Sequence, residues 1–536
     1  MVAEPHSRPQ LYSTVADIIR DHASTRPNSS ALTFSPDHER SGTSTVVYSY
    51  ADLHRRSSQA ANALAEAGVA AGDRVAILAQ NSPKFYELAF AVSKIGAVLV
   101  GLNWRLAPPE IEAIVADAEP TLMIVDRDLD HMVTDATRAD LGAAIVDEVA
   151  WDLAVTDASS GDPQRDGGPD AVVFILYTSG TTGLPKGAQL TNHNMAHSAW
   201  ISGLAYGVTG ESTNLVAMPL FHVGGMGYGL SAFFHGGHTV LRQLPEPVGL
   251  VADLAEYRVT HAFFVPAVIQ AMLDVDGVDT ADMSALELLV YGAAPIGDSV
   301  LRKALRIFGC NFMQAYGMTE TAGSIVTLAP EDHDPDGPRA GLLRSCGKPL
   351  PWVEVRLVDP KSLASGTPTD VAVGEVGEIW TRSGQNIPGY RNRSEATAEA
   401  ITADGWLRTG DAAYANDEGH LFLFDRFKDM IVSGAENVYP AEAENVLYDH
   451  PDVTEVAVIG VPDDRWGETV KAIVVARPGT EIGTDALIEL CRSRLARFKC
   501  PTSFDFVDEL PRNASGKVLK TALRAPYWEG HDRAIG

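Results

Sequence analysis

A loop rich in glycine and hydroxyl residues, closed by a lysine, is the segment of the chain best suited to chemistry. It follows an apolar stretch and reads Tyr177-Thr178-Ser179-Gly180-Thr181-Thr182-Gly183-Leu184-Pro185-Lys186-Gly187. Glycines let successive backbone N–H groups converge on an oxyanion, hydroxyl groups add donors, and Lys186 adds a positive charge. A Walker A loop has glycine where Pro185 stands. The pattern therefore predicts a phosphate-binding loop of another type, with a flexible surface turn as the alternative.

The net charge of the chain restricts how phosphate can be held. The 536 residues include 42 Lys and Arg against 70 Asp and Glu, which gives a formal charge of −28. Such an acidic chain has no sequence-wide signature of nucleic-acid binding. Anionic ligands must instead be bound by local groups, namely backbone N–H groups, helix N-termini, metal ions and a few cations.

Six further segments place single charged, aromatic or histidine residues among turn residues. They are PLFHVGGM (219–226), YGAAP (291–295), QAYGMTE (314–320), WLRTGD (406–411), DRFKD (425–429) and PRNASGK (511–517). Each alone is weak, because strand ends, capped turns and solvated charge clusters give similar patterns. Together and in this order they resemble the adenylate-forming superfamily of acyl-CoA synthetases, nonribosomal adenylation domains and beetle luciferases. The resemblance covers nearly the whole chain and is closest to acyl-CoA ligases of the fatty-acid or 4-coumarate type.

This resemblance implies a nucleotide site. Small residues at 292–295 would pack against adenine, with Gln314 at its edge and Tyr316 stacked on the base. Asp411 and Arg426 would hold the ribose. The full set of implied ATP- and AMP-binding residues is Thr178, Ser179, Gly180, Thr181, Thr182, Gly183, Lys186, Gly292, Ala293, Ala294, Pro295, Gln314, Ala315, Tyr316, Gly317, Thr319, Asp411, Arg426 and Lys517.

The resemblance also implies which groups neutralise charge during the reaction. Thr319 would bond the α-phosphate, while Glu320 and Thr178 would hold Mg²⁺, a hard cation that takes carboxylate and phosphate oxygens. Lys517 would bridge the substrate carboxylate and the α-phosphate as a preorganised positive charge. The implied catalytic residues are Lys517, His222, Thr178 and Glu320. ATP and CoA are the implied co-substrates, and Mg²⁺ is the implied metal.

The PLFHVGGM segment is implied to line the acyl pocket, with His222 as its gate. The implied acyl-binding residues are His222, Gly224, Met226, Tyr291 and Gly317. Glycines at 224, 225, 227 and 229 suggest an open pocket wall, which favours a medium or long fatty acid or an aryl or polycyclic acid. Val223 stands where amino-acid-activating relatives have aspartate, and a buried ammonium without a partner is costly. An α-amino acid is therefore not expected.

The resemblance divides the chain at a hinge at Lys428. Residues 1–426 would form the N-terminal ATP- and acyl-binding domain, and residues 427–536 a mobile C-terminal domain. Gly434 would let the CoA thiol pass close to the backbone. The implied CoA-binding residues are Ser433, Gly434 and Ala435. One departure from the family pattern is Asn192, which stands where relatives often have histidine.

The distribution of apolar runs predicts the fold. Runs bounded by turn residues lie at 74–79, 97–103, 121–126, 171–180 and 286–295. They alternate with helix-length segments, which predicts a parallel sheet with covering helices. Ser13 is the predicted N-cap of the first helix. The expected fold is α/β and α+β, with a large N-terminal domain of αβ layers, a β subdomain and a small C-terminal α+β domain.

The sequence also bears on location and partners. The first ten residues contain no apolar run, so a secretory signal is not expected. The longest apolar stretch, Leu88–Leu102, contains Lys94 and is too short to span a bilayer. A cytoplasmic protein without a transmembrane segment is expected, with its four cysteines as reduced thiols. The oligomeric state is open, with a homodimer among the options.

The implied reaction has two steps. A carboxylate attacks the α-phosphate of ATP to give an acyl-adenylate and pyrophosphate, and the CoA thiol then displaces AMP. Positioning and charge neutralisation would supply most of the rate enhancement. Two nearer alternatives are an adenylating enzyme that loads a carrier protein and one with luciferase-like oxidation. A non-catalytic nucleotide-binding homologue is the alternative from another class.

Overall fold

The structure of the chain is a computed structural model, which describes residues 12–36, 45–178, 185–294, 296–426, 429–433, 436–463, 466–480, 482–512 and 518–529. The strands of these residues are, in chain order, β1 (Ser30–Ser35), β2 (Val46–Ser49), β3 (Arg74–Leu78), β4 (Val98–Leu102), β5 (Leu122–Val125), β6 (Ile145–Asp147), β7 (Val172–Thr178), β8 (Lys186–Thr191), β9 (Thr213–Val216), β10 (His238–Arg242), β11 (His261–Phe264), β12 (Leu288–Gly292), β13 (Asn311–Met318), β14 (Gly323–Leu328), β15 (Lys348–Pro349), β16 (Glu354–Val358), β17 (Gly377–Arg382), β18 (Leu407–Ala415), β19 (Leu421–Arg426), β20 (Ile431–Ser433), β21 (Glu436–Val438), β22 (Val453–Asp463), β23 (Gly467–Ala476) and β24 (Ser503–Phe506).

Helices separate most of these strands in the N-terminal two thirds of the chain. In chain order they are α1 (Val15–Thr25), α2 (Tyr50–Glu66), α3 (Pro83–Ile95), α4 (Pro108–Ala118), α5 (Asp135–Leu141), α6 (Glu148–Asp157), α7 (Asn192–Tyr206), α8 (Val223–Phe234), α9 (Pro247–Glu256), α10 (Pro266–Leu273), α11 (Asp298–Phe308), α12 (Ser394–Ala400), α13 (Pro440–Tyr448), α14 (Thr484–Arg494) and α15 (Lys520–Trp528). No helix within the described ranges has both the length and the apolar character needed to cross a membrane.

Two large sheets form the body of the N-terminal part. One has nine strands in the order β15-β14-β13-β12-β11-β9-β10-β1-β2, and the other has six in the order β6-β5-β3-β4-β7-β8. Neighbouring strands are parallel from β13 to β1 and from β6 to β7. Antiparallel strands stand only at the edges of both sheets. Parallel strands must be covered on both faces, which explains their near-continuous apolar sequences.

The helices pack in layers on these two sheets. One continuous apolar cluster contains residues of both sheets and of α1, α2, α3, α7 and α8. A second cluster joins the nine-stranded sheet to α9, α10 and α11, and a third joins the six-stranded sheet to α4. Gly101 on β4 shows how closely the layers approach, because a Cβ there would lie 2.8 Å from the Cα of Phe221. The segment that contains His222 is thereby held against the six-stranded sheet.

Two smaller sheets follow in the chain. The strands β16, β17, β18 and β19 form an antiparallel sheet of four. The last sheet has the order β21-β20-β23-β22, with β24 parallel to β23 and an apolar core shared with α13 and α14. These units are the predicted β subdomain and C-terminal α+β unit. The predicted fold class is confirmed, whereas the boundary at residue 426 and the hinge at Lys428, outside the described residues, stay predictions.

Local details differ from the sequence prediction at one helix start. The N-cap of α1 is Thr14 rather than Ser13, because Thr14 and Asp17 form a reciprocal capping box. The Thr14 hydroxyl accepts from the Asp17 N–H at 3.2 Å, and the Asp17 carboxylate accepts from the Thr14 N–H at 2.9 Å. All four cysteines are free thiols, as expected.

The lysine inside the longest apolar stretch is fully buried. The Lys94 ammonium donates to the hydroxyl groups of Ser57 and Ser58, both at 2.8 Å, and to the carbonyl oxygen of His54 at 3.0 Å. These partners are neutral, and burial lowers the pKa of Lys94 to about 7.

This burial predicts a pH-dependent stability. Between pH 7 and 10 the unfolded chain keeps the Lys94 proton while the native state has lost it, so stability rises with pH in that window. Relative to Lys94→Met, the free energy of unfolding of the wild type is expected to increase by up to about 1.4 kcal/mol per pH unit. Denaturant titrations of both proteins at pH 7, 8 and 9 measure this difference. A difference that does not change with pH would contradict the burial of a neutral amine.

Candidate functional site

The glycine-rich loop connects the two strands of a β-hairpin. Strands β7 and β8 are antiparallel, and Thr178 pairs directly with Lys186. The Thr178 hydroxyl lies 3.4 Å from the carbonyl oxygen of Lys186, to which it can donate. The hairpin therefore brings the first and last residues of the loop together. The intervening residues Ser179, Gly180, Thr181, Thr182 and Gly183 lie outside the described residues.

A tyrosine that the sequence analysis missed connects the lysine of this loop to the candidate metal ligand. The segment from Gly389 to Arg391 runs beside β8 and is hydrogen-bonded to it. The ring of Tyr390 lies under the Lys186 ammonium, 5.3 Å from its centroid, and its hydroxyl donates to Glu320 Oε1 at 2.8 Å. One aromatic side chain thus holds a cation on its face and a carboxylate at its edge.

Glu320 itself is positioned by the turn that follows β13. It is 7% exposed, and its carbonyl oxygen accepts from the Ile387 N–H at 3.0 Å. Thr319 is buried in the same turn, which ends at Ala322 in the left-handed region with φ 52°. A nearly buried carboxylate and the Thr178 hydroxyl are hard oxygen donors, so this donor set fits Mg²⁺.

A second pair of site residues meets between two sheets. The buried hydroxyl of Tyr316, on β13, donates to Asp411 Oδ2 at 2.7 Å. Burial and the Asp411 carboxylate raise the pKa of Tyr316 well above its usual value, so the phenol is a donor at neutral pH. The backbone N–H of Asp411 donates to the Thr409 hydroxyl, and its neighbour across the strand pair β18–β19 is Arg426.

The end of β12 lies beside this pair. Gly292 pairs with Ala315 on the parallel strand β13. A Cβ at Gly292 would overlap the carbonyl oxygen of Ala315, and one at Gly317 would overlap that of Gly323. Ala293 follows at φ 65° and is exposed. Carboxyl ends of parallel strands are a common place for ligands in open α/β sheets, and glycine here keeps the two strands close.

The remaining residues expected around adenine are only partly described. Ala294 is half-buried, whereas Pro295 lies outside the described residues. In the described part of the chain, Gln314 Oε1 is buried and accepts no hydrogen bond. A buried amide oxygen of this kind needs a donor from a ligand or from water.

His222 caps the helix α8. Its Nδ1 lies 3.3 Å from the N–H of Gly224, which donates to it, and the ring is largely buried. Burial lowers the pKa of His222 to about 4. The imidazole is therefore neutral at physiological pH and acts as a hydrogen-bonding group rather than a cation.

Two structural observations bear on the expectations about the acyl segment. Tyr291 faces the apolar cluster on the far side of the nine-stranded sheet, and its hydroxyl bonds His333 at 3.0 Å. Its neighbour Val290 faces the cluster that contains α8, since side chains alternate along a strand. The Tyr291 side chain therefore lies on the face opposite to α8, and its assignment to the acyl pocket stays a prediction.

The second observation concerns the glycines of α8. A Cβ at Gly225 would overlap the carbonyl oxygen of Pro219, and one at Gly229 would overlap the hydroxyl of Tyr86. A Cβ at Gly227 would lie 3.2 Å from the carbonyl oxygen of Ala322. Protein atoms already occupy the space beside these three residues, and at Gly224 the ring of Phe263 would lie 3.3 Å from a Cβ, so the open wall that the sequence suggested is not present. Met226 and Val223 are buried apolar side chains.

Comparison with known proteins decides the family. The profile of the AMP-binding enzyme family matches residues 19–391, and that of the AMP-binding enzyme C-terminal domain matches residues 442–517. The chain belongs to the AMP-binding enzyme family. This confirms the resemblance to the adenylate-forming superfamily.

Named members of this AMP-binding family cover nearly the whole chain. It is 37% identical over 506 residues to the fatty acid–[acyl-carrier-protein] ligase ScoC of Streptomyces coeruleorubidus, a match that covers 91% of this chain and 93% of that protein. It is 39% identical over 483 residues to the feruloyl-CoA synthase of an Amycolatopsis species, with 90% and 94% covered. These relatives support the predicted class of AMP-forming acid–thiol ligases.

A solved structure of an AMP-binding enzyme supports the fold. The o-succinylbenzoate CoA synthetase MenE from Bacillus subtilis, in complex with the acyl-adenylate intermediate OSB-AMP, aligns with a TM-score of 0.82 and 31% identity. The alignment covers 94% of this chain and 97% of MenE.

Several predicted residues lie where the structure gives no description. They are Lys428 of the hinge, Gly434 and Ala435 of the CoA segment, and Lys517. Ser433 ends β20 and pairs with Glu436. The backbone of Arg426 is described, but its side chain is not. The assignments of these residues stay predictions.

The family departure at Asn192 has a structural explanation. Its carboxamide oxygen accepts from the Val15 N–H at 3.0 Å and from the Ser93 hydroxyl at 2.9 Å, and its amide nitrogen donates to the carbonyl oxygen of Gly168 at 3.0 Å. Asn192 therefore ties three segments together beside β7. The only sequence signal for this role of Asn192 was its departure from the family pattern. Tyr390 had no sequence signal apart from its position in a turn-rich segment.

The environment of His222 predicts its titration. Because burial favours the neutral ring, the imidazole is expected to stay neutral down to about pH 5, rather than to titrate near pH 6.5 as an exposed histidine does. Nitrogen-15 NMR of histidine-labelled protein measures this, and the spectrum of His222→Gln identifies the signal. A midpoint near 6.5 for that signal would contradict the buried position.

Proposed function

We propose that the chain is an acyl-CoA synthetase. It would use ATP to convert a carboxylic acid to an acyl-adenylate and would then form a thioester with CoA, releasing AMP and pyrophosphate. A medium or long fatty acid, or an aryl or polycyclic acid, would be the substrate. The observation that carries the proposal is the contact chain from Lys186 through Tyr390 to Glu320. It joins the end of the glycine-rich loop to a nearly buried carboxylate.

Each part of this arrangement suits a polyphosphate. Lys186 would neutralise phosphate charge, as would the N–H and hydroxyl groups of the loop. Glu320 and Thr178 would hold Mg²⁺, which when bound supplies positive charge beside the phosphates. Local positive charge is needed because the chain as a whole carries −28 and repels anions at long range.

The second contact pair supports a nucleoside beside the phosphates. Asp411 has a carboxylate already oriented by Tyr316, and it can accept further hydrogen bonds from ribose hydroxyls. The buried, unbonded Gln314 Oε1 would accept from an adenine amino group. Gly292 and Gly317 keep the neighbouring strand ends close together, and a flat base would lie beside the small, exposed Ala293 that follows Gly292.

The proposed class of carboxylic acid substrate rests on the segment that follows Phe221. Val223 is buried and apolar, so an α-ammonium group would find no charge partner at that position. Because His222 Nδ1 accepts from the Gly224 N–H, the proton of the neutral ring lies on Nε2, which would donate to the carboxylate without adding charge. The domain division at residue 426, the hinge at Lys428 and the role of Lys517 in adenylation belong to the same proposal and rest on the family resemblance.

A carrier protein is the second candidate for the acceptor. The similarity to ScoC, whose name gives an acyl-carrier protein as its acceptor, favours it, whereas the similarity to a feruloyl-CoA synthase favours CoA. Both acceptors present a thiol, so the adenylation step is the same for each.

The deciding assay measures AMP release from ATP with a panel of carboxylic acids, with CoA or a phosphopantetheinylated carrier protein as acceptor. Fatty and aryl acids are expected to support CoA-dependent AMP formation, and α-amino acids are not. AMP formation that requires the carrier protein would favour the second candidate. Pyrophosphate exchange that responds better to amino acids than to fatty or aryl acids would contradict the proposed substrate class.

The position of Tyr390 gives a sharper prediction. Tyr390→Phe keeps the ring beneath Lys186 but removes the hydrogen bond to Glu320, so the carboxylate would be less well oriented. Loss of a partner that orients a metal ligand typically costs about 10- to 100-fold in metal affinity or activity. We expect Tyr390→Phe to raise the Mg²⁺ concentration for half-maximal AMP formation by about tenfold.

Tyr12→Phe is the matched control for this variant. The Tyr12 hydroxyl also donates to a carboxylate, Asp21 Oδ2 at 2.7 Å, but neither residue belongs to the candidate site. Its Mg²⁺ dependence should equal that of the wild type. If Tyr390→Phe behaves like Tyr12→Phe, Glu320 does not hold the metal in the proposed way.

A further inference from the structure

Among the residues that the structure describes, two buried tyrosines near α8 have hydroxyl groups without a hydrogen bond. Tyr86, on α3, is fully buried, and Tyr228, on α8, is 7% exposed. Within the described part of the chain neither phenolic oxygen has a hydrogen-bond partner. Buried polar groups in native proteins are nearly always paired, so each of these hydroxyls calls for an explanation.

The position of Tyr228 connects it to the candidate acyl segment. His222 caps α8, and Gly224 and Tyr228 follow on one face of that helix, one turn apart. Phe263 lies against both of them. Its ring is 3.3 Å from the position of a Cβ at Gly224, and its centroid is 5.7 Å from that of Tyr228. Tyr228 therefore lies six residues along the chain from His222, the histidine that would face the carboxylate, and more than one and a half helical turns beyond it.

Aromatic rings lie around Tyr228, and the hydroxyl of its neighbour Tyr206 already has a hydrogen-bond partner. The ring of Tyr206 lies 6.1 Å away, and its hydroxyl is already paired with Ser324 Oγ at 2.8 Å. Burial, together with the neighbouring phenols of Tyr206 and Tyr86, raises the pKa of Tyr228 well above its usual value. The Tyr228 hydroxyl thus stays protonated at neutral pH and is a donor that the protein leaves unused.

Tyr86 is in a different position. Its hydroxyl packs directly against Gly229, where any Cβ would overlap it, and its ring packs on Phe233 with 4.9 Å between centroids. Gly229 and Phe233 lie one turn apart on a face of α8 next to that of Gly224 and Tyr228. The Tyr86 hydroxyl is covered by the helix backbone, so it does not face the acyl segment.

We propose that Tyr228 is a specificity-determining residue, which donates a hydrogen bond to an oxygen on the part of the acid remote from its carboxylate. The preferred substrate is then an aryl carboxylic acid with a hydroxyl, methoxyl or carbonyl oxygen rather than an unsubstituted alkyl acid. The rings of Phe263, Tyr206 and Tyr228 suit the faces of an aromatic ring. This inference rests on the proposed function and narrows its range of acids.

The physical reason is the free energy that is lost when a hydroxyl donor is buried without an acceptor. An alkyl acid would bury Tyr228 and leave its hydroxyl without a partner, whereas an oxygenated acid would supply one. Sites that contain a buried hydrogen-bonding group for a substrate discriminate strongly against analogues that lack the matching atom.

The test compares kcat/KM for acids that differ in a single oxygen substituent. 3-Phenylpropenoic acid is compared with its 4-hydroxy, 4-methoxy and 4-acetyl derivatives, and decanoic acid is included, with CoA-dependent AMP formation as the readout. The wild type should prefer at least one oxygenated acid over the unsubstituted parent by about tenfold or more. Tyr228→Phe should bring that ratio close to one, chiefly by lowering kcat/KM for the oxygenated acid.

Two further measurements separate recognition from a structural effect. Tyr86→Phe removes the other unbonded hydroxyl and should keep the wild-type preference. Because Tyr228→Phe removes an unpaired buried group, its thermal midpoint should not fall below that of the wild type. A fall would mean that the hydroxyl is bonded within the free protein, which overturns the proposal.

The remaining outcomes distinguish this inference from the proposed function. If decanoic acid is the best substrate, or if Tyr228→Phe keeps the wild-type preference, Tyr228 does not select the acid, and the acyl-CoA synthetase assignment still stands. If no acid supports AMP formation with CoA or with a carrier protein, the proposed function fails and this inference fails with it.

Discussion

The lysine at the end of the glycine-rich loop and the carboxylate of Glu320 are joined through one aromatic side chain. Lys186 lies on the face of Tyr390, and Glu320 accepts from its hydroxyl. Lys186 begins an edge strand of the six-stranded sheet, whereas Glu320 follows a strand of the nine-stranded sheet. These two contacts therefore join the two large sheets beside the candidate phosphate site. The packing of the two sheets and their helices brings Lys186, on a strand of one sheet, near a carboxylate that follows a strand of the other.

The strands and layers could be predicted because parallel strands need apolar residues on both faces. Runs such as 74–79 and 97–103 therefore indicate buried strands, which the structure has as β3 and β4. The motif residues could also be predicted, because phosphate binding needs particular side chains at fixed spacing. Tyr390 could not, because its contacts with Lys186 and Glu320 arise only when two sheets pack together. Neither partner is near it in sequence.

The acyl segment shows where sequence reasoning fails for a physical reason. The sequence does not distinguish a helix glycine that faces an empty pocket from one that allows another chain segment to approach. At Gly225 and Gly229 the second case applies, since the Pro219 backbone and the Tyr86 hydroxyl occupy the space. Likewise, Tyr291 belongs to a motif of the family, but side-chain alternation turns it to the opposite face of its strand. Which face a residue occupies depends on the register of the whole sheet.

The contact between Tyr316 and Asp411 bears on how both residues could serve one nucleotide. The Tyr316 hydroxyl, at the edge of the ring, donates to Asp411. The two faces of the ring are therefore the part of Tyr316 that could stack on a base. A carboxylate has about four acceptor positions, so one that accepts from a phenol can also accept from ribose hydroxyls. The same bond fixes the carboxylate before a nucleotide arrives, which lowers the conformational entropy lost on binding. A negative side chain near phosphates is tolerable under these conditions, because oriented hydrogen bonds act at short range while the repulsion is screened by solvent and salt.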